Sequence, residues 1–98
     1  MQVIAKRTLR EFWTRHPKAR SPLEAWYVIV DRAEWRTPSD VKATVGTTVD
    51  FVADNRIIFD IGGNKYRLIV HVAYRFNRVL IKFIGTHDEY DNIDPETV

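Results

Sequence analysis

The sequence predicts an α+β fold in which a helical hairpin packs on one face of a small, mainly antiparallel sheet. Three observations lead there. Two apolar stripes at helical spacing fill the first third of the chain. The stretch from Ile57 to Ile84 alternates with period two. Between its first two runs lies Gly62-Gly63-Asn64, a hairpin turn signal.

Taken in order, Gln2–Ala5 reads as a short edge strand. Leu9, Phe12, Trp13 and His16 then follow the i, i+3, i+4, i+7 spacing of one helix face, and Pro17 stops it. Ser21-Pro22-Leu23-Glu24 predicts a new start, with Ser21 as cap, Pro22 in the first turn and Glu24 closing a capping box. Leu23, Trp26, Tyr27 and Val30 repeat the apolar spacing. The aromatic residues of both helices read as core, with Trp35 a candidate to sit outside it. Thr37-Pro38-Ser39-Asp40 predicts another cap, followed by a turn of helix through Lys42. Thr47–Ala53 is β-prone, and Asp54-Asn55 reads as a turn.

The last half is a meander. A strand through residues 65–76 would place Tyr66, Leu68, Val70, Val72, Tyr74 and Phe76 on one face. Arg67, Ile69, His71, Ala73 and Arg75 fall on the other. After a turn near Asn77, Val79, Ile81 and Phe83 oppose Arg78, Leu80 and Lys82, and Gly85 ends the strand. Covering the aromatic face with the hairpin is the simplest two-layer solution. It leaves Arg67, His71, Arg75 and Lys82 turned to solvent or a ligand.

Size and composition set limits. The 98 residues suit one domain over 1–98, with the acidic tail beyond about residue 93 expected to fray. No cysteine is present, which removes disulfides and thiolate chemistry. Lys6 interrupts the N-terminus before any long apolar run, unlike a signal peptide, and no apolar stretch approaches the ~20 residues of a membrane span. A cytoplasmic protein without membrane attachment is expected. The three histidines lack close metal-ligand spacing, so no metal or other cofactor is expected. Gly62-Gly63 is followed by a strand and so is no phosphate-binding helix start.

The net charge of +2 hides segregation. Residues 61–87 carry Lys65, Arg67, Arg75, Arg78 and Lys82 and no acid. Residues 88–98 carry Asp88, Glu89, Asp91, Asp94 and Glu96 and no base. A face built only for solubility mixes signs, so the one-signed face suggests a polyanion, with Lys and Arg on phosphates. Arg67 is the leading phosphate ligand, being permanently charged and able to bind bidentately. Its competing role is a cross-strand ion pair with Asp60. His71 reads as a surface histidine or as a proton-transfer group. His87 and Tyr90 suit proton transfer at a strand end, or a turn contact to Asp88 or Glu89 and a ring packed over the sheet edge.

The stretch Ile57 to Leu68, with Gly62-Gly63-Asn64-Lys65-Tyr66-Arg67 at its centre, and the later Thr86-His87-Asp88-Glu89-Tyr90-Asp91 together resemble the HigB-type toxins of type II toxin–antitoxin systems. The two motifs occur in the family's order. The resemblance implies a RelE-like fold and a metal-independent endoribonuclease that cuts messenger RNA on the ribosome, the RNA's own 2′-hydroxyl attacking the adjacent phosphate. It places catalytic roles on Arg67, Lys82, His87 and Tyr90, and leaves Lys65, His71, Arg75 and Arg78 as RNA-binding positions. The sequence departs from RelE itself, whose lysine-rich strand is replaced by Asp60 and a single Lys65, so the general base stays open among His71, His87, Tyr90 and Lys65. The implied partners are messenger RNA on the ribosome and a HigA-type helix-turn-helix antitoxin, with operator DNA reached only through that complex. The alternative is a non-catalytic basic RNA- or DNA-binding module.

Overall fold

In the computed structural model, which describes residues 1–46 and 49–98, one five-stranded sheet carries two helices on one face. The chain runs β1 (Gln2–Ile4), α1 (Lys6–Arg15), α2 (Arg20–Arg32), α3 (Pro38–Val45), β2 (Asp50–Val52), β3 (Arg56–Ile61), β4 (Tyr66–Ala73), β5 (Arg78–Thr86) and α4 (His87–Asp91). The strand order is β1-β5-β4-β3-β2, antiparallel except where the edge strand β1 joins β5 in parallel. This is the expected α+β class.

The helices form where the apolar stripes predict them. Leu9 and Phe12 of α1 and Leu23, Trp26 and Val30 of α2 are buried against Ile57, Phe59, Leu68, Val70, Val72 and Val79 of the sheet. The Trp26 and Phe59 rings meet edge to face at 5.6 Å, a favourable quadrupole arrangement. Trp35 belongs to this core, contrary to the alternative left open for it. It is 2% exposed, and its Nε1 donates to the Thr44 hydroxyl on α3 at 3.0 Å.

Two helix starts differ from expectation. A 3-10 turn over Pro17–Ala19 leads directly into α2, which therefore begins at Arg20 with Ala19 as cap. Ser21 lies inside the first turn, so the predicted Ser21–Glu24 box does not form, and Glu24 instead pairs with Arg20 at 2.9 Å. The Thr37–Asp40 box does form, and α3 runs three residues further than Lys42, to Val45. Thr47 and Thr48, the start of the β-prone Thr47–Ala53 stretch, lie outside the described residues. Its later part gives β2.

The turns are where the sequence marks them. Asp54 and Asn55 both take positive φ between β2 and β3. Gly62, Gly63 and Asn64 all do so between β3 and β4, a run of left-handed backbone that side chains with a Cβ tolerate poorly. At the far end β4 stops earlier than predicted. Residues Tyr74–Phe76 form a 3-10 turn and Asn77 is left-handed. Phe76 therefore does not continue the inner face and is 68% exposed, whereas Tyr74 still packs against the core.

The largest departure lies in β5. Ile69 pairs with Phe83 and Val70 with Ile81, which leaves Lys82 as the extra residue of a β-bulge. Beyond it the alternation reverses. Ile84 pairs with the buried Leu68 and turns inward, while Phe83 pairs with Ile69 and turns outward. Phe83 is thus not on the face of Val79 and Ile81. The strand also continues through Gly85 to Thr86.

The Thr86 hydroxyl accepts from the Glu89 amide at 3.2 Å, and the Glu89 carboxylate accepts from the Thr86 amide at 2.9 Å. This box starts α4 directly at the end of β5. The segment past Ile93, for which the sequence predicts fraying, lies in a turn with Val98 N–H donating to Asp94 at 3.1 Å.

Two outcomes are expected. Leu68→Ala opens a cavity at the centre of the sheet and should lower unfolding free energy by about 2–5 kcal/mol. Urea titration should show a lower midpoint at unchanged slope. Glu89 supplies the pH dependence. The hydrogen bond from the Thr86 amide holds its carboxyl below the ordinary value of 4.5, against a smaller opposing effect of burial. A folded value below the unfolded one means the cap stabilises above that ordinary value and weakens as pH falls through the depressed one. In thermal unfolding followed down the acid range, Glu89→Gln should flatten this part of the profile.

Candidate functional site

The sheet face away from the helices holds Arg56, Ile58 and Asp60 of β3, and Arg67, Ile69 and His71 of β4, in facing register. Leu80, Phe83 and Gly85 of β5 complete it. This face is not fully open. Ile58 and Ile69 are buried without belonging to the helix-side core. Phe83 lies beside Ile69, α4 packs on β4 and β5, and the terminal segment returns to β3 through a hydrogen bond from Arg56 Nη2 to the Val98 backbone oxygen at 3.1 Å.

Arg67 is the best-positioned cation on it. Its side chain is 13% exposed, and Nη1 stands 2.9 Å from Asp60 Oδ1, so the cross-strand ion pair does form. That contact lacks the alignment of a hydrogen bond, and Nη1 has no hydrogen-bond partner in the protein. The guanidinium lies 5.6 Å from the centre of the Tyr90 ring. Tyr90 is half-buried, with its ring against the sheet beside the arginine. His87 begins the same short helix and is exposed. Its turn partner is Asp91, with Nδ1 3.3 Å from Oδ2, and not Asp88 or Glu89.

Gly85 makes this arrangement fit. It is the residue opposite Arg67, and a Cβ there would lie 2.5 Å from the end of the Phe83 ring and 3.2 Å from Glu89 Cβ. The missing side chain lets Phe83 fold back along its own strand and lets α4 sit close over β5.

The other predicted positions are spread along the sheet. Lys82, on the bulge, is not beside Arg67. It borders a shallow depression with Asp54, Asn55, Arg56, His71 and Leu80. His71 sits four residues along β4 from Arg67, a rise of about 13 Å. Lys65 is in the β3–β4 turn. Arg75 leaves the strand with the 3-10 turn, and Arg78 faces Ala73 at the far end of β5. The structure therefore brings together Arg67 and Tyr90 at one end, with exposed His87 on the same short helix as Tyr90, and Lys82 with His71 in the middle. Arg75 and Arg78 mark the other end. Among the described residues, no three His, Asp or Glu side chains converge to hold a metal ion. No helix there is long and apolar enough to cross a membrane.

Arg56 is the residue that sequence reasoning missed. Its signal was present: counting back by two from Asp60 and Ile58 puts it on the same face. The strand had been started one residue too late, at Ile57.

Residues 19–93 match the HigB_toxin family, described as the RelE-like toxic component of a toxin–antitoxin system. The chain is 26% identical to an mRNA interferase HigB of Escherichia coli O6:H1 over 94 residues, 95% of this chain and 91% of that one. It is 25% identical over 92 residues to the mRNA interferase toxin HigB of Escherichia coli K12 and to an mRNA interferase HigB of Shigella flexneri. Each of these alignments covers 93% of this chain and 88% of the relative. With the match running from the start of α2 through α4 and including both motifs around Arg67 and Tyr90, the chain belongs to the HigB toxin family of RelE-like toxins.

Proposed function

We propose that this toxin is a ribosome-dependent messenger RNA endoribonuclease that needs no metal and works at the Arg67 end of the sheet. The observation that carries the reading is Arg67 itself. It is a largely buried guanidinium held between Asp60 and the Tyr90 ring, at the margin of the apolar patch of Ile58, Ile69 and Phe83. The relatives' printed activity as mRNA interferases supports it.

In the proposed reaction the 2′-hydroxyl of one nucleotide attacks the adjacent phosphorus. The bond to the 5′-oxygen of the next nucleotide breaks. The products are a cyclic 2′,3′-phosphate and a free 5′-hydroxyl. A base must take the 2′-proton and an acid must give one to the leaving oxygen. Tyr90, whose ring centre lies 5.6 Å from the Arg67 guanidinium, and His87, three residues before it on α4, are the proposed proton-transfer groups. Arg67 supplies charge to the phosphorane through its fork of donors. Lys82 lies on the bulge away from Arg67 and adds cationic support to the RNA backbone there. Lys65, His71, Arg75 and Arg78 extend the basic track along which the RNA backbone lies.

The toxin acts in the cytoplasm, where ribosomes present the message. Its antitoxin is a HigA-type helix-turn-helix protein, and operator DNA is bound only through that complex. The exposed Val28 and Ile29 on α2 and the basic sheet face are the surfaces offered to it.

Arg67→Ala should abolish growth arrest and cut ribosome-programmed message cleavage by roughly 10²–10³-fold, the usual loss for one electrostatic contact to a developing oxyanion. Arg67→Lys should recover only part, because a point charge replaces a fork. Full toxicity in a stably folded Arg67→Ala protein would remove the assigned role. RNA bound but never cut by the wild type would instead favour the non-catalytic module.

A further inference from the structure

Arg56 is held in an arrangement that leaves its charge poorly answered. The side chain is 13% exposed. Its Nη1 is 3.7 Å from Asp54 Oδ2, a long contact to a carboxylate that is itself 84% exposed. Its Nη2 donates to the Val98 backbone oxygen, and its Nε is buried with no partner. Removing a guanidinium from water without pairing all of its donors is costly. The adjoining depression, about 340 Å³, is lined by His71, Lys82, Asn55, Leu80 and Asp54. Thus two cations and a histidine border a concave surface in which Asp54 is the one acid, and the inner cation meets only that long, exposed carboxylate contact and the Val98 oxygen.

A phosphodiester suits this geometry. Two of its oxygens could take the Nε and Nη2 donors as a bidentate pair, with Lys82 as a second cation. Single-stranded RNA running along β4 from Arg67 would reach Arg56 about 13 Å away, since Arg56 faces His71 across the β3–β4 pair.

We infer that Arg56, with His71 and Lys82, is a second phosphate-holding station on the RNA track, and that the Val98 oxygen holds Arg56 until RNA displaces it. The inference rests on RNA being the substrate. It adds a residue that holds a flanking phosphate and a built-in competitor for it. The competitor is also electrostatic, because the turn ending at Val98 carries Asp94 and Glu96.

The test measures binding of a fluorescent single-stranded RNA made non-cleavable by 2′-O-methyl groups, across a salt series. The proteins are the full chain, a version ending at Ile93, Arg56→Gln, Arg56→Lys, and the shortened version carrying Arg56→Gln. A full-length Asp94→Asn/Glu96→Gln protein isolates the effect of charge. Shortening should tighten binding several-fold. Arg56→Gln should weaken binding and reduce the slope of log affinity against log salt by about 0.7, the value of one phosphate contact to a single strand. Combined with Arg56→Gln, shortening should give much less gain. Arg56→Lys should keep the salt slope but bind more weakly than arginine, and it serves as the second probe should the glutamine variant not fold.

Unchanged affinity on shortening overturns the proposal. So does an equal gain with and without Arg56, or a gain fully reproduced by Asp94→Asn/Glu96→Gln. These failures differ from failure of the enzymatic reading, in which the wild-type chain would not cut message whether or not it bound the probe. A wild type that cuts message yet shows no dependence on Arg56 or on the turn would lose only this inference.

Discussion

The single extra residue at Lys82 controls how the rest of the sheet faces. Up to that point β5 alternates in step with β4, and Val79 and Ile81 enter the core. After it the strand has advanced by one, so Ile84 takes the inner row while Phe83 and Gly85 take the outer. A bulge also bends its strand and increases local twist. Here that bend precedes the Thr86 cap and α4, and hence the placement of Tyr90 beside Arg67. Without the bulge Phe83 would be driven toward the helices and Ile84 outward. Gly85 would then face the core and no longer lie under the Phe83 ring. The outer face near Arg67 is therefore a product of strand register, set by backbone pairing some distance from the charges it organises.

The electrostatics of that face follow from incomplete neutralisation. Asp60 pairs with Arg67, and Asp54 stands near Arg56, yet each arginine keeps at least one buried donor without a hydrogen bond. Fully satisfied pairs would be structural. Partly satisfied ones retain the capacity to accept an anionic oxygen, and low local polarity strengthens that interaction. The neighbouring Ile58, Ile69 and Phe83 supply the low polarity while leaving the guanidinium groups at its margin.

Much of this was legible in the sequence because local signals agreed with the final packing. Leu9 to His16 and Leu23 to Val30 announced the helices, and Gly62-Gly63-Asn64 announced the hairpin that puts Asp60 beside Arg67. What escaped had a common cause. Phe83 and Ile84 are both apolar, so a slip of one residue between them leaves no trace in a hydrophobic pattern, and only the pairing with β4 reveals it. Tyr74 and Phe76 continue the alternation perfectly well, but the chain has already left the sheet for a 3-10 turn. Ser21 and Glu24 carry a valid box motif that the preceding turn at Pro17 makes unnecessary by starting the helix earlier. Arg56 was lost at a strand boundary, where period-two reasoning has least support.

The parallel edge strand has a consequence in time. Gln2 pairs with Arg78 and Ile4 with Leu80, whereas every other strand pairs with a neighbour in sequence. The edge strand β1 thus finds its place only after Arg78–Leu80, far along the chain, are available to pair with it. Until Arg78–Leu80 have emerged, the growing chain can form its helices and the β2–β4 meander, but it cannot close the sheet or position α4. Such long-range closure is entropically expensive and slow. The end of the sheet that holds Arg67 and Tyr90 is therefore completed only once β5 and α4 have joined it.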